Sequence, residues 1–581
     1  MKTWEATGGR REAFGVFAAA VLLAACGGDG AASVAQRAQV IAAPQPELLS
    51  ARLIPDQDLP PEGTRSLFDH WVAQNEGLPY PFENLIEWLA QQSPDGARPV
   101  TVFIPLGRSL LKAQADFQHP RVLVATDFEG VNTDGALGPA PRGQLFLGFV
   151  ENASEIEVIS YNEAAGRYEF QLVQDYSETG ERRIVYARRA VCLTCHQAAA
   201  PIFPQRPWNE TNGQPEPAAA IVAARASDAP YLGAPIRQPL AAPERYDELT
   251  DVANFLPVVQ RAWLDGCGVG DQGGQCRRQM LKLALGYLDD PGALDPQSDA
   301  VQTLLALQAR SWPADGIAVP ESDLRNRDPL TEGSSVKNRL KAWFTPEIEP
   351  GAGARNNEDL EAFDRLPKLS ADLDPLTPRP PKRVLTAQSL EAVYGLAAQF
   401  TADDRRWLAQ RAADQWPRVL AGVDRLPASM FEPTVFSRVR MLQALSVALE
   451  TSPSALMPSY CCLQTTEMSP PVAISVPPLA LAEDSVLQPY ADYCFACHRG
   501  NPSARLNFMA GADEAEVAAR IRATESIRDA LDWARFRSTD KESTLMPPAD
   551  SPQRRHLEAA LQQNPELLEQ MRAQVPGLFD F

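Results

Sequence analysis

"RYEFQLVQDYSETGERRIVYARRAVCLTCH" runs from Arg167 to His196. Tyr168, Phe170 and Leu172 alternate with polar residues, the two-residue period of a strand with one buried face. "SETGE" then supplies a glycine-containing turn and "RRIVYA" a second strand. From that strand the chain passes directly into Cys192, Leu193, Thr194, Cys195 and His196. Upstream, "EIEVIS" and "LFLGFV" precede the turn "NEAAGR", and before them come the apolar runs "RVLVA" and "VTVFI". Short strands consecutive in sequence predict an antiparallel meander, buried on one face, over residues 63–200.

The chain of 581 residues is too long for one hydrophobic core and predicts three or four packed units. Its 51 prolines demand much extended loop, because proline removes a backbone donor and breaks helix interiors. A formal net charge of −20 argues against nucleic acid, whose phosphates require clustered lysine and arginine. The acidic balance suits a basic protein partner, or serves solubility alone.

The nine cysteines sort by position. Cys192 and Cys195 precede His196, and Cys494 and Cys497 precede His498, so the pattern Cys-x-x-Cys-His occurs twice. This is the attachment signature of c-type haem. Each thiol adds across a vinyl group of the porphyrin, the two-residue gap lets both reach one edge, and the adjacent histidine ligates iron. Two rival readings of such a thiol pair are a zinc site, which needs four ligands, and a redox-active dithiol, which needs no following histidine. Cys267 and Cys276 flank a glycine-rich loop and, in an oxidising compartment, are read as a disulfide; calcium around Asp265 and Asp271 is the alternative. Adjacent Cys461 and Cys462 are open between a vicinal bridge, partners elsewhere and thiols.

The first residues read as a targeting segment. Lys2, Arg10 and Arg11 precede an apolar run from Phe14 to Ala25, too short to span a membrane as a helix. Its end, Leu23, Ala24, Ala25 and Cys26, resembles a bacterial lipoprotein signal, with an ordinary signal peptide as the alternative. The resemblance implies that residues 1–26 are the signal, that Cys26 is acylated and anchors the chain in a lipid membrane, and that residues 27–62 are a tether. Gly27 after the cysteine is similar to lipoproteins sent to the periplasmic side of the outer membrane.

Residues 201–450 read as a proline-rich, loop-rich helical region. Leu390, Val393, Tyr394 and Ala397 fit one helix face, as do Val435, Val439, Leu442 and Leu449. Phe203 and Trp208 are candidates either to wall a haem or to pack a core. No nucleophile elbow, phosphate loop or dinucleotide fingerprint is present. A second proline-rich linker, 451–482, isolates the last part of the chain. The fold class is therefore multidomain α+β: a β-rich N-terminal meander, a helical middle region and an all-α C-terminal domain.

Residues 483–581 resemble the small cytochrome c domain. The resemblance rests on the turn Cys494 to His498, the helix around Glu514 to Ala523, the loop "STLMPP" with Met546 before Pro547 and Pro548, and the closing apolar helices. It implies His498 as the proximal iron ligand and Met546 as the distal one. Thioether ligation raises the reduction potential and closes the site to small molecules. Met546 as a gap-filling core residue is the alternative reading. Met509 and Met571 read as packing, and His556 is a minor alternative ligand.

Nothing comparable follows His196. The candidates for its distal position are Met280, His119, His70 and His556, another methionine, or an open site. Two functions follow. One is an exported, membrane-anchored dihaem c-type cytochrome that passes electrons to and from a redox partner through two covalently attached haem c groups. The other is a dihaem peroxidase or oxygenase-like enzyme, with the first haem catalytic and the second an electron relay. The resemblance to dihaem peroxidases is partial, because a β-rich segment precedes the first motif, the two motifs are further apart and no second cytochrome domain is evident, and it carries no catalytic residues over. The region around Cys192 looks like uncharacterised bacterial dihaem lipoproteins, which implies no particular reaction. A haem-stabilised structural lipoprotein is a third possibility.

Overall fold

The computed structural model describes residues 59–575 except 76, 93–97, 106–114, 127–142, 188, 197–198, 200, 202, 205–207, 238–240, 322, 325–380, 450–480, 483–484, 500–507, 510, 525, 540–544 and 548–550. The signal segment with Cys26, nearly all of the tether and Cys461 and Cys462 lie outside the described residues. The chain is mixed α+β, with helices and an antiparallel sheet.

Two helices come first, α1 (Leu67–Gln74) and α2 (Phe82–Gln92). Ser66 caps α1, its hydroxyl accepting from the Asp69 N–H and so satisfying one of the orphan donors of the first turn. Sequence reading treated this region as strand and missed both helices.

Six strands follow: β1 (Val100–Ile104), β2 (Arg121–Thr126), β3 (Leu145–Val150), β4 (Glu155–Asn162), β5 (Arg167–Gln174) and β6 (Arg183–Tyr186). They pair in sequence order as an antiparallel meander. The expectation of one buried face is corrected: both faces are covered. Phe103, Val122, Val124, Leu145, Leu147, Phe149, Ile156, Val158 and Val173 point to an upper core with α1 and α2. Val102, Ile104, Leu123, Ala125, Phe146, Ile159, Tyr161, Tyr168, Phe170, Leu172 and Val185 point to a lower core. A strand buried on both sides needs apolar residues at successive positions, which is why "LFLGFV" is buried throughout.

The covering layers come largely from downstream residues. Ile221 of α4 (Pro215–Arg225) and Tyr231 join the upper core. Trp208, and Tyr246, Leu249, Ala253 and Leu256 of α5 (Ala241–Arg261), join the lower one. Trp208 stacks edge-on against Tyr246 at 5.5 Å. On the lower face Gly148 leaves room for the Arg121 guanidinium, which lies where a Cβ would project and pairs with Glu157.

The packing therefore does not divide at residue 200, where sequence reading placed a boundary. α5 continues into a π-helical turn, Ala262–Gly266, and its last residues Val258 and Val259 enter a second core with Ala262 and Trp263. That core is built from α6 (Gly270–Asp289), α7 (Asp299–Gln308), α8 (Glu391–Ala397), α9 (Ala402–Arg411), α10 (Trp416–Arg425) and α11 (Arg438–Ala448). Val393 and Ala397 of α8 are buried there, whereas Tyr394 is exposed.

The β4–β5 hairpin docks on these helices through buried polar contacts. Gln260 of α5 joins the two: its amide donates to Tyr161 Oη of β4 (3.4 Å) and to the Phe436 carbonyl (2.9 Å) and accepts from the Phe436 N–H (3.0 Å). Arg438 donates to Asp404 (2.6 Å) and to Glu163 of the hairpin (3.2 Å), with all three side chains buried. Burial alone would weaken the charge on Arg438, but the two carboxylates more than reverse that, and it stays a cation.

The final core contains Leu487, Tyr490, Cys494, Phe508, Met509, Val517, Ile521, Trp533, Leu557 and Met571. It is formed by short helices, α12 (Gln488–Tyr493), α13 (Phe495–His498), α14 (Glu514–Ala523), α15 (Ser526–Ala530), α16 (Trp533–Phe536), α17 (Pro552–Gln563) and α18 (Leu567–Arg572). No helix among the described residues is long and apolar enough to cross a membrane.

Candidate haem-attachment sites

The first motif lies on α3 (Arg189–Cys195), which starts just after β6. The His196 N–H donates to the Cys192 carbonyl at 2.9 Å, the i to i−4 bond of a helical turn. Helical spacing sets Cys192 and Cys195 on one face, three residues apart. Both thiols and His196 are half-buried, and Cys192 and Leu193 pack on the lower core.

Two residues that sequence reading did not connect with the motif hold this turn. The His196 ring lies 5.6 Å from the ring of Phe170. Arg189, buried, donates to the Tyr168 carbonyl at 2.7 Å and approaches Glu169 at 3.3 Å, with its guanidinium 5.2 Å from the Phe170 ring. After β6 the Ala187 N–H donates to the Phe170 carbonyl of β5 (2.9 Å), and the Arg189 side chain donates to the Tyr168 carbonyl two residues earlier on that strand. Glu169 also receives Arg167 at 2.7 Å, so the buried carboxylate is paired as burial requires. The position of Phe170 was readable from the strand alternation, whereas Arg189 carries no sequence signal beyond preceding the motif.

The second motif repeats the turn. The Cys497 N–H (3.2 Å) and the His498 N–H (2.9 Å) both donate to the Cys494 carbonyl. Cys494 is buried, and burial together with Cys497 pushes its thiol up to about 12. A redox-active dithiol works through a lowered pKa, so this environment does not suit one. The His498 ring stacks on Phe508 at 4.3 Å, and buried Arg499 donates to the carbonyls of Met509 (2.7 Å) and Gly511 (3.0 Å).

The Met546 loop is pinned through its backbone. The Met546 N–H donates to the Ala530 carbonyl (2.8 Å), Trp533 Nε1 donates to the Met546 carbonyl (3.1 Å), and Arg554 donates to the Pro547 carbonyl (3.1 Å) while its guanidinium covers Trp533 at 3.6 Å. Met509 and Met571 are core residues, but the Met546 side chain is half-buried and, among the described residues, stands outside that core. Trp533, the one tryptophan after residue 482, was the available signal for this anchor.

The other ligand candidates lie elsewhere. α1 meets the sheet from above, the Phe68 N–H donating to Ser160 Oγ, so His70 is on the face opposite Phe170 and His196. His119 precedes β2 in a turn closed by Asp116, which accepts its N–H at 2.6 Å. β2 is three strand spacings, about 14 Å, from β5. Met280 is fully buried in the α6 core, which the first motif does not join. His556 is exposed on α17. Cys267 and Cys276 are joined in a disulfide, Cα atoms 5.4 Å apart, within the helical core.

The structure brings together the two motifs themselves. α3 packs against α13, although Cys192 and Cys494 are separated by 302 positions. Meeting thiol pairs would suit a shared zinc ion, yet no group of three His, Cys, Asp or Glu side chains among the described residues is disposed to hold a metal ion. Haem asks less of each site: two thiols on one helical face and one following imidazole, and both turns supply that set. Comparison with known proteins finds no matching family model, no matching curated protein and no matching solved structure.

Proposed function

We propose that this chain is a dihaem c-type cytochrome that transfers electrons at the surface of a membrane. The supporting observation is that two Cys-x-x-Cys-His segments, remote in sequence, fold into the same helical turn and pack against one another. When bound, haem supplies a one-electron ferric/ferrous couple at each site. Cys192 and Cys195, and Cys494 and Cys497, are the covalent tethers; His196 and His498 are the proximal ligands. Met546 is the distal ligand of the second site, its loop held by Ala530, Trp533 and Arg554 so that the thioether is placed without filling the core. The domain layout is a β-rich unit, a helical region and a C-terminal cytochrome domain. Export and acylation of Cys26 complete the reading, placing the protein on the periplasmic side of the outer membrane. The net charge of −20 suits a basic electron-carrier protein as partner.

A second reading is favoured by the placement of His70, His119 and Met280 away from His196: the first site stays open and reacts with peroxide, and the second relays electrons to it. Low-temperature electron paramagnetic resonance of the purified ferric protein, with and without peroxide, separates the two. Electron transfer alone requires two low-spin signals indifferent to peroxide. A high-spin signal that disappears on adding peroxide transfers the assignment to the enzyme, and a chain without haem overturns both.

A further inference from the structure

We infer that residues 59–66, at the root of the proposed tether, form a strap that positions the first attachment turn from the opposite side of the sheet. The inference rests on the dihaem reading for what the turn holds. It goes beyond that reading, since attachment itself asks only for two thiols and an imidazole.

The strap lies on a buried polar row. Ser160 and Asn162 of β4 pair with Glu169 and Arg167 of β5, and Gln171 of β5 pairs with Tyr186 of β6, so these six side chains share one face. It is the upper face, because the Phe68 N–H of α1 donates to Ser160 Oγ, whereas Phe170, beside His196, belongs to the lower one. Buried polar groups are costly unless bonded, and the strap supplies bonds. Thr64 Oγ1 accepts from Asn162 Nδ2 (2.9 Å), and the Leu59 carbonyl accepts from Arg167 (3.1 Å). Ser66 Oγ donates to Gln171 Oε1 (2.7 Å), and the Ser66 N–H donates to Tyr186 Oη (3.3 Å). Thr64, Ser66, Asn162, Glu169 and Gln171 are all buried.

Glu169 carries the connection across the sheet. Its carboxylate accepts from Arg167 (2.7 Å) and Asn162 (3.3 Å), both of which also hold the strap, and it meets Arg189 at 3.3 Å. Arg189 is the first residue of α3, bonds the Tyr168 carbonyl, and sets its guanidinium 5.2 Å from the Phe170 ring that flanks His196. One carboxylate thus serves strap and turn together. Displacing the strap takes partners from Arg167 and Asn162, and the loss reaches α3 through Glu169 and Arg189. Arg167, Asn162 and Glu169 are therefore positioning residues that act through Arg189.

The test applies peptide-resolved deuterium exchange to the full chain. Arg167→Met, which cuts a bond between strap and network, is expected to speed uptake about tenfold in residues 59–66 and, across the sheet, in residues 189–196. With both haems bound, the ferric resonance signal that Cys192→Ala/Cys195→Ala removes is expected to move, while the signal of the second site stays. Arg167→Lys, which keeps a cationic donor toward Glu169, is expected to restore both readouts. Faster uptake confined to residues 59–66, or an unmoved first-site signal, overturns the positioning role and leaves the dihaem reading standing. A wild type without two haems removes that reading, and the linked exchange of the two segments then decides the strap alone. If Arg167→Met does not fold, Thr64→Val makes the same measurements from the side of the strap.

Discussion

At Cys192 to His196 the attachment turn leans on a β-sheet, with Phe170 beside the imidazole and a buried Arg167, Glu169 and Arg189 network behind it. At Cys494 to His498 the same turn sits among short helices, and a methionine loop is fixed at its backbone in three places. One local geometry thus meets two different surroundings. In the proposed reading, the motif provides attachment while the surrounding fold provides what tunes it. In the proposed reading, the helical setting supplies a second ligand and makes a carrier, and the sheet setting is where reactivity is decided.

The comparison breaks most directly at the thiols. Cys192→Ala/Cys195→Ala is expected to lower haem content from two per chain to one, and Cys494→Ala/Cys497→Ala to do the same, as counted by the absorbance of the denatured protein. An unchanged count in either variant removes that site. Met546→Ala sharpens the contrast by making the second site resemble the first. Its low-spin signal should convert to high spin and its midpoint potential should fall, because a thioether favours ferrous iron. A spectrum identical to wild type would return Met546 to core packing.

Arg438→Met probes the attachment of the sheet to the helices. It leaves Glu163 and Asp404 buried without their cation, which costs about 3–5 kcal/mol in equilibrium urea unfolding. The effect should fall on the sheet and helical cores and spare the spectrum of the second haem; a loss below 1 kcal/mol would show that the triad does not hold the hairpin.

The smallest effect concerns His70 on the upper side of the sheet. Burial, and then the charge of Arg65, pull its pKa down from 6.5 to about 4, so the folded ring is neutral. The unfolded chain takes up the proton first as pH falls, and stability is lost between pH 6.5 and 4. The loss is on the order of 2 kcal/mol from pH 7 to pH 4.5. His70→Gln should flatten this slope in urea unfolding at the two pH values, and an unaltered slope would show that another group carries it.

Much of the sheet was legible because strand pattern is local. "VTVFI" and "LFLGFV" coincide with β1 and β3, and the other four strands differ by a residue or two at their ends. The helices α1 and α2 were missed because Phe68, Leu85, Ile86 and Leu89 were absorbed into a β-rich segment rather than tested against a 3.6-residue period. The second buried face was misread because its cover, Trp208 and Tyr246 to Leu256, comes after the haem motif and its arrival is a tertiary event. The motif residues were legible as chemistry. Their meeting was not, since sequence spacing between Cys192 and Cys494 says nothing about distance in a folded chain. Nor was the separation of His119 from His196, which depends on strand order.

One further consequence attaches to α5. Its first part roofs the lower face of the sheet and its last residues belong to the helical core, with Pro257 between the two roles. In a chain delivered N-terminus first, the cysteines of α3 emerge well before the helix that completes the layer beside them. In the proposed reading, this order would leave the first pair of thiols unroofed for haem attachment until α5 arrives.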